Sequence, residues 1–264
     1  MRNNIRTINP IIMKKLVLFI TLSTLILSGC KDNSDDPASE CTITALKSKN
    51  TGETQSTTIG LQFDAQKRVT KADYKYLSDI WSMAYNYQTS TIVRTETEGT
   101  TTYTGTYTLT NGRVTKYVGS PATIDFTYNT DGYVSKTVIT LPGTTVTNNL
   151  TYQDGNLKSI ERKQGTNTSF VTISYGTDLA VDLLGYGNSL MLWDDVLEEA
   201  GDYFIVSAGY FGKASKNLPV SYTFTNTSST HNVQYEKDVT GKILSMFKSS
   251  AGVDVNTSFT YTCN

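Results

Sequence analysis

His231 is the only histidine in the chain, so a Ser-His-Asp or Cys-His nucleophilic site would have to be assembled around it. It lies in Ser228-Ser229-Thr230-His231-Asn232, between two strand-like segments, and reads as a polar loop tip with a surface imidazole. A second constellation is acidic. Asp194, Asp195, Glu198 and Glu199 share one face at helical spacing. They could serve as a calcium site or as glycosidase carboxylates, which in retaining enzymes stand about 5–5.5 Å apart; a solvated helix face is the plainer account. The third constellation is aromatic. Trp81, Tyr85 and Tyr87 lie where Asp79-Ile80-Trp81 interrupts two strand-like segments. Aromatics in an exposed loop would stack on sugar rings, whereas a tryptophan packed beneath the loop would belong to the core. One histidine leaves no zinc cluster, and neither a phosphate-binding glycine loop nor a dinucleotide fingerprint occurs. The expectation is therefore no metal, no cofactor and no catalytic residue.

The elements that would carry these residues begin with a leader. Lys14 and Lys15 precede an apolar run from Leu16 to Leu27, too short for a permanent span, and Leu27-Ser28-Gly29-Cys30 closes it with small residues and a cysteine. This resembles the lipobox of bacterial lipoproteins. The resemblance implies a signal peptide over 1–29, of which 13–29 is the signal proper, and lipidation of Cys30 as the first mature residue. The charged stretch Lys31–Asp36 resembles the export signals of some Gram-negative surface lipoproteins and also reads as a solvated tether, here taken as residues 30–40. Both imply a chain exported and lipid-anchored to the outer membrane of a Gram-negative bacterium, exposed at the cell surface.

Charge narrows the partners. The whole chain carries −1. Arg2, Arg6, Lys14 and Lys15 are the only charged residues before Cys30, so removing the leader leaves about −5, which disfavours nucleic acid. With Cys30 taken by lipid, Cys41 and Cys263 remain, each in phase with apolar strand positions. In a disulfide-permissive compartment they read as a bridge between first and last strands; two separate buried thiols are the alternative.

From Thr42 onward apolar residues alternate with threonine. Tyr103, Tyr107 and Leu109 take one face, and Thr102, Thr104, Thr106, Thr108 and Thr110 the other. Ile124-Phe126-Tyr128, Val146-Leu150-Tyr152 and Val171-Ile173-Tyr175 repeat the pattern. Period-two alternation of this kind means strands with one wet face. Asn111-Gly112, Asp131-Gly132 and Asp154-Gly155 mark turns at one end; Glu98-Gly99, Gly119-Ser120-Pro121, Pro142-Gly143 and Gln164-Gly165 mark the other, for roughly fifteen strands. The hairpins repeat: Tyr107–Lys116 aligns with Phe126–Lys136, with weaker copies over Leu61–Lys71, Leu150–Ile160 and Val233–Met246. This resembles the tyrosine–aspartate repeats of Rhs-type shells, although the Tyr-Asp pair is missing. It is closer to a family of bacterial surface lipoproteins catalogued as a domain of unknown function with a porin-like fold, a resemblance that implies a barrel and no activity.

Residues 178–222 contain no threonine, and within them Ser189–Ala200 has helical spacing, with Leu190, Trp193, Leu197 and Ala200 on one face. The expected fold is therefore all-β: a large antiparallel up-and-down meander closing, fully or half-open, into a water-soluble barrel over residues 41–264. One helix-containing insertion, 178–222, would pack on or inside it, with Trp193 and Leu197 against the sheet. A membrane-spanning barrel is disfavoured because the second strand face is threonine, serine, asparagine and lysine rather than an apolar band. The expected function is a non-catalytic surface binding or scaffold protein for a polysaccharide or another surface protein, held to the membrane by Cys30. The alternative is an extracytoplasmic glycan-acting hydrolase with a carboxylate site.

Overall fold

The computed structural model describes residues 41–179, 208–225, 229–250 and 253–263. The leader, the tether with Cys30 and the helix expected at 189–200 lie outside the described residues.

Sixteen strands follow one another. The first eight are β1 (Cys41–Asn50), β2 (Thr57–Phe63), β3 (Val69–Tyr76), β4 (Asp79–Tyr87), β5 (Thr91–Glu98), β6 (Thr101–Thr110), β7 (Arg113–Gly119) and β8 (Thr123–Tyr128). The second eight are β9 (Val134–Leu141), β10 (Thr144–Gln153), β11 (Asn156–Gln164), β12 (Asn167–Leu179), β13 (Asn217–Phe224), β14 (Ser229–Lys237), β15 (Ile243–Ser250) and β16 (Val253–Cys263). Each pairs antiparallel with its sequence neighbours, and β1 pairs with β16, so the sheet is a closed barrel. Closure leaves no strand with an unpaired edge. At the seam Cys41 faces Cys263 in register, and the two are joined by a disulfide.

The barrel is fully closed, one of the two closures expected. The helix-containing insertion needs correcting, because the described residues contain no helix. The interruption between β12 and β13 is also narrower than 178–222, because Asp178 and Leu179 belong to β12 and Asn217–Phe224 to β13. The role expected of a helix falls, in the described part, to the irregular segment 208–216. Threonine content misplaced the boundary because β13 is a strand built without threonine until Thr223.

Alternation sends one face inward on every strand. Ile43, Ile59, Val69, Ile92, Tyr107, Val114, Ile124 and Leu157 are all 0–1 % exposed. The outward positions carry threonine and charge, as at the exposed Thr102, Thr104 and Thr108 of β6 and Asp125 and Thr127 of β8. A lipid-facing barrel needs an apolar band around its outside. Among the described residues the exposed large apolar side chains on strands are scattered, with no more than two on any one: Ile80 on β4, Tyr103 on β6, Val118 on β7, Phe170 and Leu179 on β12, Val220 on β13 and Leu244 on β15.

The sequence repeat becomes a ring. Call the end that holds Cys41 and Cys263 the lower rim. The last inward residue of each descending strand there is Phe63, Tyr87, Leu109, Tyr128, Tyr152, Tyr175, Tyr235 or Tyr261, all packed on the core. Several tyrosines finish a ladder that the backbone leaves open. The β3–β4 ladder ends at Lys71–Ala84, and Tyr87 donates its hydroxyl to the Val69 carbonyl beyond it at 2.9 Å. Tyr128 does the same for Val114 of β7 at 2.6 Å, and Tyr235 for Pro219 of β13 at 3.0 Å. Tyr261 donates to the Ile243 carbonyl of β15 at 2.5 Å. Each bond satisfies a carbonyl where two strands splay apart, a group that would otherwise be left without a strand partner.

Candidate functional site

The lower rim is crossed by the segment 208–216, which runs as a strap over three consecutive hairpin turns. The Tyr210 carbonyl accepts from the Val114 amide at 2.8 Å, and the Lys213 amide donates to Gly132 at 3.0 Å. The Lys216 amide donates to Gly155 at 2.9 Å. Phe211 descends into the barrel, 5.0 Å from the Phe126 ring and 6.2 Å from that of Tyr107, both edge-on. Tyr210 stacks on Tyr87 at 5.8 Å and takes a hydrogen bond from Arg68 at 3.0 Å. Gly212 sits at φ +77° against the Gly132 carbonyl, a position where a side chain would meet backbone.

Next to one foot of the strap lies a cavity of about 290 Å³, at the lower edge of β10, β11 and β12. Gln153, Asp154, Asn156, Lys158 and Ser174 supply its polar wall, and Ile173 and Tyr175 the rest. Three local features hold it open. Asp154 and Gly155 both have positive φ, 52° and 81°, and form a tight turn that the Lys216 amide fixes from the strap. Asn156 and Asn217 exchange hydrogen bonds of 2.8 and 3.0 Å. The β12–β13 register shifts between Tyr175 and Leu179, where Asn217 Nδ2 donates to the Thr177 and Asp178 carbonyls. The Tyr175 hydroxyl shares a hydrogen bond with Ser215 at 3.1 Å, and burial pushes its pKa up to about 12, which keeps the phenol neutral. Among the described residues, the side chains of Gln153, Asp154, Lys158 and Ser174 make no hydrogen bond or ion pair.

The residues singled out in the sequence are placed as follows. Cys41 and Cys263 are bridged at the seam. Trp81, Tyr85 and Tyr87 do not occupy a loop, because β4 begins at Asp79. All three take the inward face of that strand, spread from one rim to the other. Trp81 stacks on Tyr74 at 5.1 Å, Tyr85 bonds the Met83 sulfur at 3.6 Å, and Tyr87 belongs to the lower ring. His231 is not a loop residue either. It lies in β14, its ring stacked on Tyr222 at 4.6 Å and edge-on to Phe224 at 5.3 Å. Burial, with the Lys248 charge assisting, lowers its pKa to about 4. Ser229 is 3.3 Å from Nε2, but Nδ1 is buried without a hydrogen bond, so no carboxylate orients the ring as a triad requires. Among the described residues no three His, Cys, Asp or Glu side chains gather as a metal site. Asp194, Asp195, Glu198 and Glu199 lie outside the described residues.

From mid-height toward the upper rim the interior turns polar. Ser48 and Thr257 bond at 3.2 Å, Asn148 donates to Thr137 at 3.0 Å, and Arg94 pairs with Glu96 at 2.8 Å. Lys248, buried to 3 % exposure, lies with its ammonium 5.1 Å from the Tyr222 ring centre. Sequence reasoning missed these groups because a polar residue on a strand reads as one facing water; Arg94 and Glu96 are neighbours on one face of β5, Asn148 and Thr137 meet across the β9–β10 ladder, and Ser48 and Thr257 meet across the seam.

Fold and geometry define a closed antiparallel β-barrel whose interior is filled by buried side chains. No protein-family model and no curated protein sequence matches the chain. Solved structures do. A porin-like protein from Bacteroides uniformis superposes with a TM-score of 0.64 at 15 % identity, over 83 % of this chain and 96 % of that one. A porin-like protein from Bacteroides vulgatus gives 0.55 at 12 % identity, over 83 % and 98 %. The likeness is one of fold.

Proposed function

We propose that this chain is an exported lipoprotein, anchored through Cys30 to the outer membrane of a Gram-negative bacterium and displayed at the surface. There it acts by binding or scaffolding, with a polysaccharide or another surface protein as partner. The observation that carries the reading is the distribution of polarity: an interior filled by buried side chains, apolar toward the strapped rim and paired polar toward the other, inside a wall whose outward face is threonine and charge. A conducting barrel of this strand number needs the reverse, a wet lumen and an apolar outside. The leader ending in Leu27-Ser28-Gly29-Cys30 supports the anchor. Detergent-phase partitioning of the wild type and Cys30→Ala, together with conductance of the full chain in planar bilayers, tests the reading. The wild type is expected in the detergent phase, the variant in the aqueous phase, and neither should conduct. A variant that still partitions into detergent, or stable single-channel steps, would overturn it.

A further inference from the structure

We infer that the cavity between the Asp154-Gly155 turn and the lower end of β12 is a binding site for a neutral saccharide unit. The inference rests on the binding role proposed above and gives it a place and a ligand class. Its volume of about 290 Å³ is at the low end of small-ligand pockets, which run from roughly 300 Å³. That holds a pyranose ring with its hydroxyls and is small for a peptide. The polar wall has the right inventory. Sugar hydroxyls both donate and accept, and here Gln153 and Ser174 do both, Asp154 only accepts, and Lys158 only donates. The one carboxylate and one ammonium cancel, so the cavity has no net charge with which to select an ion. Carboxylate and carboxamide groups present two polar atoms side by side, a match for vicinal hydroxyls.

Four of these polar side chains make no hydrogen bond or ion pair among the described residues, yet the backbone beneath them is fixed by the strap, by the Asn156–Asn217 pair and by a turn with two positive-φ residues. Such a frame spends little ordering entropy when a ligand arrives. It also explains why the strap ends in Ser215-Lys216-Asn217, which bonds Leu157, Gly155 and Asn156 in turn.

The test is amide chemical-shift mapping on the full chain in mild detergent. The probes are glucose, galactose, mannose, N-acetylglucosamine and their β-linked disaccharides, with glycine and inorganic phosphate as zwitterionic and anionic comparisons. At least one saccharide should give saturable shifts centred on 153–158 and 173–176. The double variant Gln153→Ala/Lys158→Ala should weaken that binding at least tenfold and leave the melting temperature unchanged. Saccharide shifts that persist in the variant would overturn this site and leave the binding role standing. Shifts with glycine or phosphate alone would overturn the ligand class. No shifts with any probe would overturn the inference, and the binding role would then stand or fall with the partitioning and conductance results.

Discussion

Replacing both seam cysteines, Cys41→Ser with Cys263→Ser, should act almost wholly through the unfolded chain. In the folded barrel β1 and β16 remain joined along their ladder from Thr42–Thr262 to Asn50–Val255, so the native seam survives without the bond. In the unfolded state the bridge ties residues 222 apart. The chain-entropy relation then gives about 18 cal/mol/K of lost freedom, or about 5 kcal/mol at 25 °C. An unfolding entropy of about 2.1 cal/mol/K per residue converts this to a fall in melting temperature of about 11 °C for a barrel of this length. The denaturant slope should rise as well, because a chain freed of its loop exposes more surface on unfolding. Thermal and urea unfolding of wild type, reduced wild type and the double serine variant supply the numbers, with the last two expected to coincide. A shift below about 2 °C would refute the reasoning, since the unfolded chain would then be no freer without the bridge than with it.

Two further outcomes follow from side chains inside the barrel. Phe211→Ala removes a ring that is 5 % exposed and edge-on to two others; it should cost about 3–5 kcal/mol by urea unfolding, and a loss under about 1 kcal/mol would show the strap to be superficial. His231 has a folded pKa of about 4, below the ordinary value of 6.5. The unfolded chain therefore takes up its proton first, so the His231 contribution leaves stability full above pH about 6.5 and lowers it as pH falls toward about 4. Melting temperature against pH should show that decline in the wild type and a flatter profile in His231→Gln; superimposable curves would exclude the assignment.

Much of the barrel wall is legible as period-two patterning, because each strand has one dry face and one wet face and the residues record it. The hairpin repeat is readable for the same reason: Leu109–Val114 and Tyr128–Val134 are successive units of the lower ring, each an inward residue, a turn with positive φ and an inward aliphatic. The start of β4 was hidden because its preceding turn uses Leu77 at φ +55°, so neither glycine nor asparagine announces it. The strap was hidden because 208–216 has no period of its own; its backbone bonds go to turns far off in sequence. His231 was misread since Ser228–Asn232 is polar enough for a loop, and only Tyr222, across the β13–β14 ladder, gives the imidazole its stacking surface. The cavity is the least readable of all. It depends on a register break and on the Asn156–Asn217 pair, neither of which leaves a mark in local sequence.

The seam has a mechanical meaning as well as a thermodynamic one. A strand at the end of a chain is the natural place for a pulled protein to come apart, since β1 could peel from β2 and β16 one hydrogen bond at a time. Here the first residue of β1 is covalently tied to β16. Tension applied from upstream of Cys41 therefore reaches two strands at once, and peeling cannot begin at the loaded end. A barrel held this way against flow would yield at its attachment before its wall.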